Sequence, residues 1–213
     1  MAATEIRLMV LGAVSLFEPV NGYQIRRELL SWRVEDWANI KPGSIYSALS
    51  TLTGQHRLER HDLVDNGRDV AVYTITDDGR AELQRLFVVA VETVVPGSRL
   101  GFYTAMSLMP LMPREAVLDS LMARTKMLED QIQDGEQTLA ARDTAPPHVG
   151  ELVELWQVMA EGELAWIGRL ITRARDGELG LQGDPPTSWA PPADDPGWQM
   201  DADRKRYRGL LGR

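Results

Sequence analysis

The sequence predicts a mainly α-helical chain: a winged helix-turn-helix domain followed by a helical, coiled-coil-like dimerisation domain. Three observations carry that class. Residues 4–95 read in the order helix, helix, helix, hairpin, helix. An Asn66-Gly67 pair stands between two short alternating stretches, which is the turn chemistry of a tight β-hairpin. Beyond Ser98 apolar residues recur at alternating spacings of three and four, the heptad pattern of helices packed along a seam.

Residues 4–17 read as the first helix, which ends before Glu18-Pro19. It is apolar nearly all round, with Ile6, Leu8, Met9, Val10, Leu11, Val14 and Leu16. Such a helix is buried on more than one face, and a partner chain is one way to cover it. Pro19-Val20-Asn21-Gly22 is a turn, and Asn21 is placed to N-cap a second helix over 22–31. Ile25 and Leu29 supply that helix's inward face. A loop with Trp32 and Trp37 leads to a third helix opening at Pro42. Strands are expected at about 58–64 and 70–76, joined by Asp65-Asn66-Gly67-Arg68-Asp69. Thr76-Asp77-Asp78 caps a further helix, stopped by Pro96-Gly97.

Pro113 suits the first position of a long helix. Leu118, Leu121, Thr125, Leu128, Ile132, Gly135 and Leu139 form its seam, weakest at Thr125 and Gly135. Ala145-Pro146-Pro147 breaks it. A second long helix carries Leu152, Trp156, Met159, Glu163, Trp166 and Leu170 on a similar seam. Beyond Asp176 the composition shifts to Gly, Pro, Asp and Ser, the mark of a disordered or loosely packed tail. The expected organisation is therefore a winged helix-turn-helix domain over 1–96, a helical, coiled-coil-like dimerisation domain over 97–176, and a flexible Pro/Gly-rich tail over 177–213.

Composition narrows the function. There is no cysteine, which excludes disulfides, thiol catalysis and zinc–thiolate sites. The N-terminal apolar run lacks a basic lead-in, and no stretch is long enough to span a bilayer, so a soluble cytoplasmic protein without membrane partners is expected. Net charge is −8, which argues against a protein that coats nucleic acid non-specifically. Residues 1–90 hold 10 basic against 12 acidic side chains, so most of the acidity lies further on.

The stretch KPGSIYSALSTL, residues 41–52, is the most informative. Ile45, Leu49 and Leu52 fall at i, i+4 and i+7 with Ala48 between them, a buried stripe. Ser47 and Ser50 lie opposite, with Ser44, Tyr46 and Thr51 on the flanks. A helix entering the major groove needs short hydrogen-bonding side chains at its front. Its free N-terminal N–H groups suit a phosphate, and Gly43 lets another backbone come close. An amphipathic helix with merely solvated hydroxyls is the plainer reading, and the helix before and hairpin after favour recognition.

These residues resemble the PadR transcriptional regulators. The likeness runs over about 11–83, through LGAVSLFEPVNGYQIRREL, IKPGSIYSALSTL and VYTITDDGRAEL. The helical remainder, from FYTAMSLMPLMPREAV onward, resembles the larger C-terminal dimerisation domain of one branch. The resemblance implies a homodimer that binds a double-stranded operator, usually as a repressor, often relieved by a small molecule; here a pseudo-palindromic operator and a hydrophobic or aromatic effector are expected. Carried onto this chain, it makes Ser44, Tyr46 and Ser47 the contacts to bases and phosphates. Asn21 and Tyr23 should meet the phosphate backbone, with Lys41 a further phosphate partner and Arg68 the wing residue of the minor groove. For Tyr23 and Tyr46, packing of the two helices on each other is the alternative.

The chain departs from the pattern twice. His56-Arg57 stand where the family has a glycine and an aliphatic residue closing the recognition helix, so the helix could run on. The wing is also acidic, with Asp62, Asp65 and Asp69 around Arg68.

Glu163 falls on an otherwise apolar seam, where an unpaired carboxylate is costly. One reading is an effector pocket lined by Phe102, Tyr103, Met106, Trp156, Met159 and Trp166, with Glu163 as polar anchor. The other is an ion pair across the dimer, or a helix turned so that Glu163 faces water. His56, His61 and His148 have no metal-ligand spacing, and no metal or cofactor is expected. Arg204-Lys205-Arg206-Tyr207-Arg208 could steer DNA or form a flexible charged end. No nucleophile, base and charge stabiliser converge, so an enzyme is not expected. A winged-helix interaction module without DNA binding is the competing class, kept open by the acidic wing.

Overall fold

The computed structural model describes residues 2–38, 40–140, 146–185, 190, 192–195 and 197–212. It divides into two compact units, Met1–Phe87 with Pro186–Arg213, and Val88–Pro185. The expected helix break begins at Ala145, outside the described residues; Pro146 stands directly before the next helix.

The first unit holds α1 (Ala2–Phe17), β1 (Val20–Asn21), α2 (Gly22–Ser31), α3 (Val34–Trp37), α4 (Pro42–Gly54), β2 (Leu58–Asp65) and β3 (Arg68–Ile75). α5 (Asp77–Glu92) begins in it, and α9 (Gly197–Leu210) completes it. The three strands form one antiparallel sheet in the order β1-β3-β2. Val20 pairs with Tyr73 and Leu58 with Ile75. β1 was not foreseen, because two residues carry no alternation to read. At the hairpin tip Asn66 and Gly67 have φ of 49° and 76°, the left-handed pair a tight antiparallel turn demands. This is a winged helix: three main helices (α1, α2 and α4), a hairpin and a closing helix, with the one-turn α3 in the stretch between α2 and α4 that reads as a loop in the sequence.

α1 is the centre of that unit. Leu8, Met9, Val10, Leu11, Ala13 and Val14 are all fully buried. α2, α4, β3 and α9 pack around it, so one chain covers the helix and no partner is required for that purpose. The long-range ties are ionic as well. Glu82 on α5 accepts from Arg7 on α1 and from Arg57, which precedes β2. Thr76 closes the join between α4 and α5. Its hydroxyl donates to the carbonyl of His56 and accepts from the N–H of Gly79 at 3.0 Å. Gly79 lies against the Arg57 carbonyl so tightly that no Cβ fits there.

Within its described residues the tail differs from the sequence reading; residues 186–189, 191, 196 and 213 lie outside them. A Pro/Gly-rich flexible segment was expected from Gly177 onward. Instead Leu181 is buried, and Gln182 N–H donates to the Met112 carbonyl at 3.1 Å. Residues 197–210 form α9, with Met200 and Tyr207 buried. Two apolar anchors spaced seven residues apart suffice to dock a polar helix, and composition averaged over the tail conceals them.

The second unit holds α6 (Leu100–Ser107), a 3-10 turn (Met109–Leu111), α7 (Arg114–Ala140) and α8 (Pro147–Arg175). α7 and α8 run antiparallel: Gly135 lies against Gln157, and Met122 near Arg175. Gly135, an apparent weak point of the seam, is where Gln157 packs. The seam itself is rotated from the expected one. On α7 the buried positions are Val117, Ser120, Leu121, Arg124 and Leu128, so Arg124 rather than Thr125 points inward. On α8 they are Ala160, Ile167, Leu170 and Ala174. Leu152, Met159 and Trp166, expected on the seam, remain exposed.

Candidate nucleic-acid interface and effector pocket

α4 presents two unlike faces. Ile45, Leu49 and Leu52 are buried as their spacing requires, while Lys41, Gly43, Tyr46, Ser47, Ser50 and Thr51 are exposed. Pro42 starts the helix without leaving a lost N–H, and the chain enters it in extended conformation at Lys41. The hydroxyls are engaged locally. Ser44 Oγ donates to the Lys41 carbonyl at 2.7 Å, and Ser47 Oγ to that of Gly43 at 3.2 Å. A hydroxyl that has donated inward still offers its lone pairs outward. Ser47 in this state is suited to accept from the amino group of cytosine or adenine. Among the described residues, Lys41 and Arg68 have no ion-pair partner, so both cations face outward uncommitted.

The packing of α4 on the start of α2 depends on a glycine. A Cβ at Gly22 would stand 3.1 Å from the ring of Tyr46, so the two helices meet there at close range. Tyr46 keeps 47% of its surface exposed and Tyr23 62%. Both rings are therefore only partly used for packing.

Asn21 caps α2 as its position predicts. Its Oδ1 accepts from the N–H of Gln24 at 2.9 Å, and Gln24 Oε1 accepts from the N–H of Asn21 at 3.1 Å, a reciprocal cap. Its Nδ2 donates to the Tyr207 hydroxyl at 3.0 Å. Both ends of the amide are thus committed inside the chain, and Asn21 holds the start of α2 in place. The missed residue is Tyr207, whose only sequence signal was an aromatic ring within a basic run.

The wing is less acidic in space than in sequence. Arg60 donates to Asp62 at 2.8 Å, and Arg206 of α9 donates to Asp65 at 2.8 Å. The second contact joins residues 141 positions apart, and no local pattern predicts it.

In the second unit Glu163 accepts from Arg99 through one oxygen and from Arg124 through the other. Both carboxylate oxygens are paired within the chain, and the helix is not turned to water. Arg124 is fully buried; its guanidinium also donates to the carbonyls of Val91 and Thr93, both at 2.8 Å, and lies 3.9 Å from the centre of the Phe102 ring. Burial pushes the Arg124 guanidinium down, and the hydrogen bond to Glu163 opposes that shift. Beside this cluster is a cavity of about 480 Å³ lined by Arg99, Phe102, Tyr103, Met106, Met159, Glu163 and Trp166. Six of the seven expected residues meet there. Trp156 does not line it; its indole lies over Gly97 instead. Arg99 takes its place, unforeseen because it precedes α6 rather than sharing the α8 repeat.

Comparison with known proteins accords with this geometry. Residues 10–85 match the family model described as "Transcriptional regulator PadR-like family". Among solved structures the chain is similar to Bacillus subtilis PadR in complex with operator DNA, at 15% identity and a TM-score of 0.36, over 79% of this chain and 98% of that one. It is also similar to the PadR-like transcriptional regulator BC1756 from Bacillus cereus, at 18% identity and a TM-score of 0.35, over 79% of this chain and 94% of that one. No curated protein matches it. No helix among the described residues is long and apolar enough to cross a membrane.

Proposed function

We propose that this chain is a sequence-specific DNA-binding transcriptional regulator of the PadR type, acting as a homodimeric repressor that a small effector relieves. One observation carries the reading: α4 buries one apolar stripe and leaves Lys41, Tyr46, Ser47 and Ser50 as an unobstructed polar front within a winged helix. Ser44, Tyr46 and Ser47 read bases and nearby phosphates, while Tyr23, Lys41 and Arg68 position the helix on the backbone. Asn21 acts indirectly, by capping α2.

The dimer reading is supported by an exposed apolar stripe on α8, whose Met159 and Trp166 also border the cavity. Leu152, Leu155, Met159 and Trp166 share one face at helical spacing and are all exposed. A two-fold dimer presents two wings at fixed separation, which calls for a pseudo-palindromic operator. The cavity beside Glu163 fits a small hydrophobic or aromatic effector. Such a ligand acts if it binds one spacing of the wings better than another.

Footprinting on DNA upstream of the chain's own gene tests the proposal. A protected palindrome at moderate salt is the expected result. A folded dimer that protects nothing would sink it in favour of a winged-helix protein-interaction module, the class that the acidic wing and the net charge of −8 keep open.

A further inference from the structure

A DNA-facing wing should not carry bare carboxylates, and this one holds Asp62, Asp65 and Asp69. Asp62 has Arg60 two residues away on its own strand. Asp65 sits at the end of β2, beside the hairpin tip, and its cation comes from the far end of the chain. Arg206 Nη2 bridges Asp65 Oδ2 and Asp203 Oδ1, both at 2.8 Å. α9 is held in register for this contact. Arg204 donates to the carbonyls of Leu16 and Phe17, Gln24 Nε2 donates to Asp203 at 2.7 Å, and the Asn21 amide donates to Tyr207. The same helix therefore fixes the start of α2 and places a guanidinium against Asp65 of the wing.

We propose that α9 is a working part of the DNA-binding unit, in which Arg206 is a positioning residue that cancels the charge of Asp65 and so lets the wing approach phosphates. This rests on the DNA-binding reading above. Without Arg206, the wing faces the duplex with one more uncompensated negative charge. That charge weakens binding through the phosphates, irrespective of sequence, and most strongly at low salt. Arg206 is 40% exposed, so its removal opens no cavity.

The test uses the full-length protein and two duplexes, one from upstream of its own gene and one of random sequence. Arg206→Ala should weaken binding to both, by about fivefold at low salt and less as salt rises. Arg206→Lys should retain most of the affinity. Asp65→Asn placed in the Arg206→Ala background should restore it, an outcome that a purely structural role for Arg206 would not produce. Equal affinity of wild type and Arg206→Ala overturns the proposal. So does an Arg206→Ala defect that Asp65→Asn leaves in place, which would make Arg206 itself the phosphate contact. If folded wild type binds neither duplex, the DNA-binding reading fails first and takes this one with it.

Discussion

Arg57 donates its backbone N–H to the carbonyl of Leu52 at 2.9 Å, and His56 between them stands at φ 56°. His56 N–H also donates to the Thr53 carbonyl at 3.0 Å. These two bonds close α4 in the manner of a Schellman ending, a role usually given to glycine. The helix therefore does not run on past its usual exit; a histidine adopts the left-handed conformation instead. His56→Gly is expected to raise stability by about 0.5 to 1 kcal/mol, because glycine enters that region without the Cβ clash. Urea denaturation would measure it, and a fall in stability would show that the imidazole makes a compensating contact.

Glu82 ties three elements together, and its carboxyl is held down to about 2. The hydrogen bond from Arg7 is the main cause and that from Arg57 adds to it, while burial works against both. A depressed carboxyl stabilises the fold fully above its ordinary value of 4.5, and the contribution disappears as pH falls through the folded value. Glu82→Gln should therefore cost about 2 to 3 kcal/mol at neutral pH, and the deficit should shrink between pH 4.5 and 2. Denaturant melts across that range would check it; a constant deficit would assign the loss to packing instead.

Glu163 lies between two buried guanidiniums, so it holds like charges apart. Glu163→Gln leaves Arg99 and Arg124 facing each other with only a neutral amide, at a cost of about 3 to 5 kcal/mol. Adding Arg124→Met relieves the repulsion, so the double variant should be clearly less destabilised than the sum of the two singles. Additive losses in thermal melts would mean that the three groups do not act as one cluster.

The polar front of α4 and its buried stripe were legible because a 3.6-residue period separates two faces within one short segment. The hairpin tip was legible because Asn-Gly has almost no other use between alternating strands. The α7–α8 seam was only half legible. α8 has apolar residues on two faces, and the sequence does not say which one meets α7. Leu152, Met159 and Trp166 made the better heptad but stand outside that contact. One wall of the cavity, Met159, Glu163 and Trp166, comes from α8, and the other from α6 and the Arg99 before it. Arg99, Arg124 and Arg206 were beyond reach: each finds its carboxylate at a separation set by the tertiary fold, from 39 to 141 residues.

The exposed stripe of α8 gives the dimer a direct test. Leu155 keeps 54% of its surface exposed and lies outside the cavity lining. Leu155→Glu should leave the monomer folded, with stability changed by no more than about 0.5 kcal/mol apart from the dimer contribution. Sedimentation should then show a shift toward monomer at micromolar concentration. An unchanged dimer would move the interface to another surface.

Gly43 separates stability from recognition. It lies in the first turn of α4 with ordinary helical backbone, and a Cβ there would meet nothing within 4 Å. The fold therefore gives no steric reason for glycine at this position. Gly43→Ala should stabilise α4 by about 0.5 to 1 kcal/mol through the lower entropy of the unfolded chain. If the start of α4 approaches the duplex closely, the added methyl group meets DNA instead, and operator affinity falls as stability rises. Opposite signs in a melt and a gel-shift titration of the same variant are the expected outcome. Affinity that holds or improves would move the reading surface down the helix, from Ser44 toward Ser47 and Ser50.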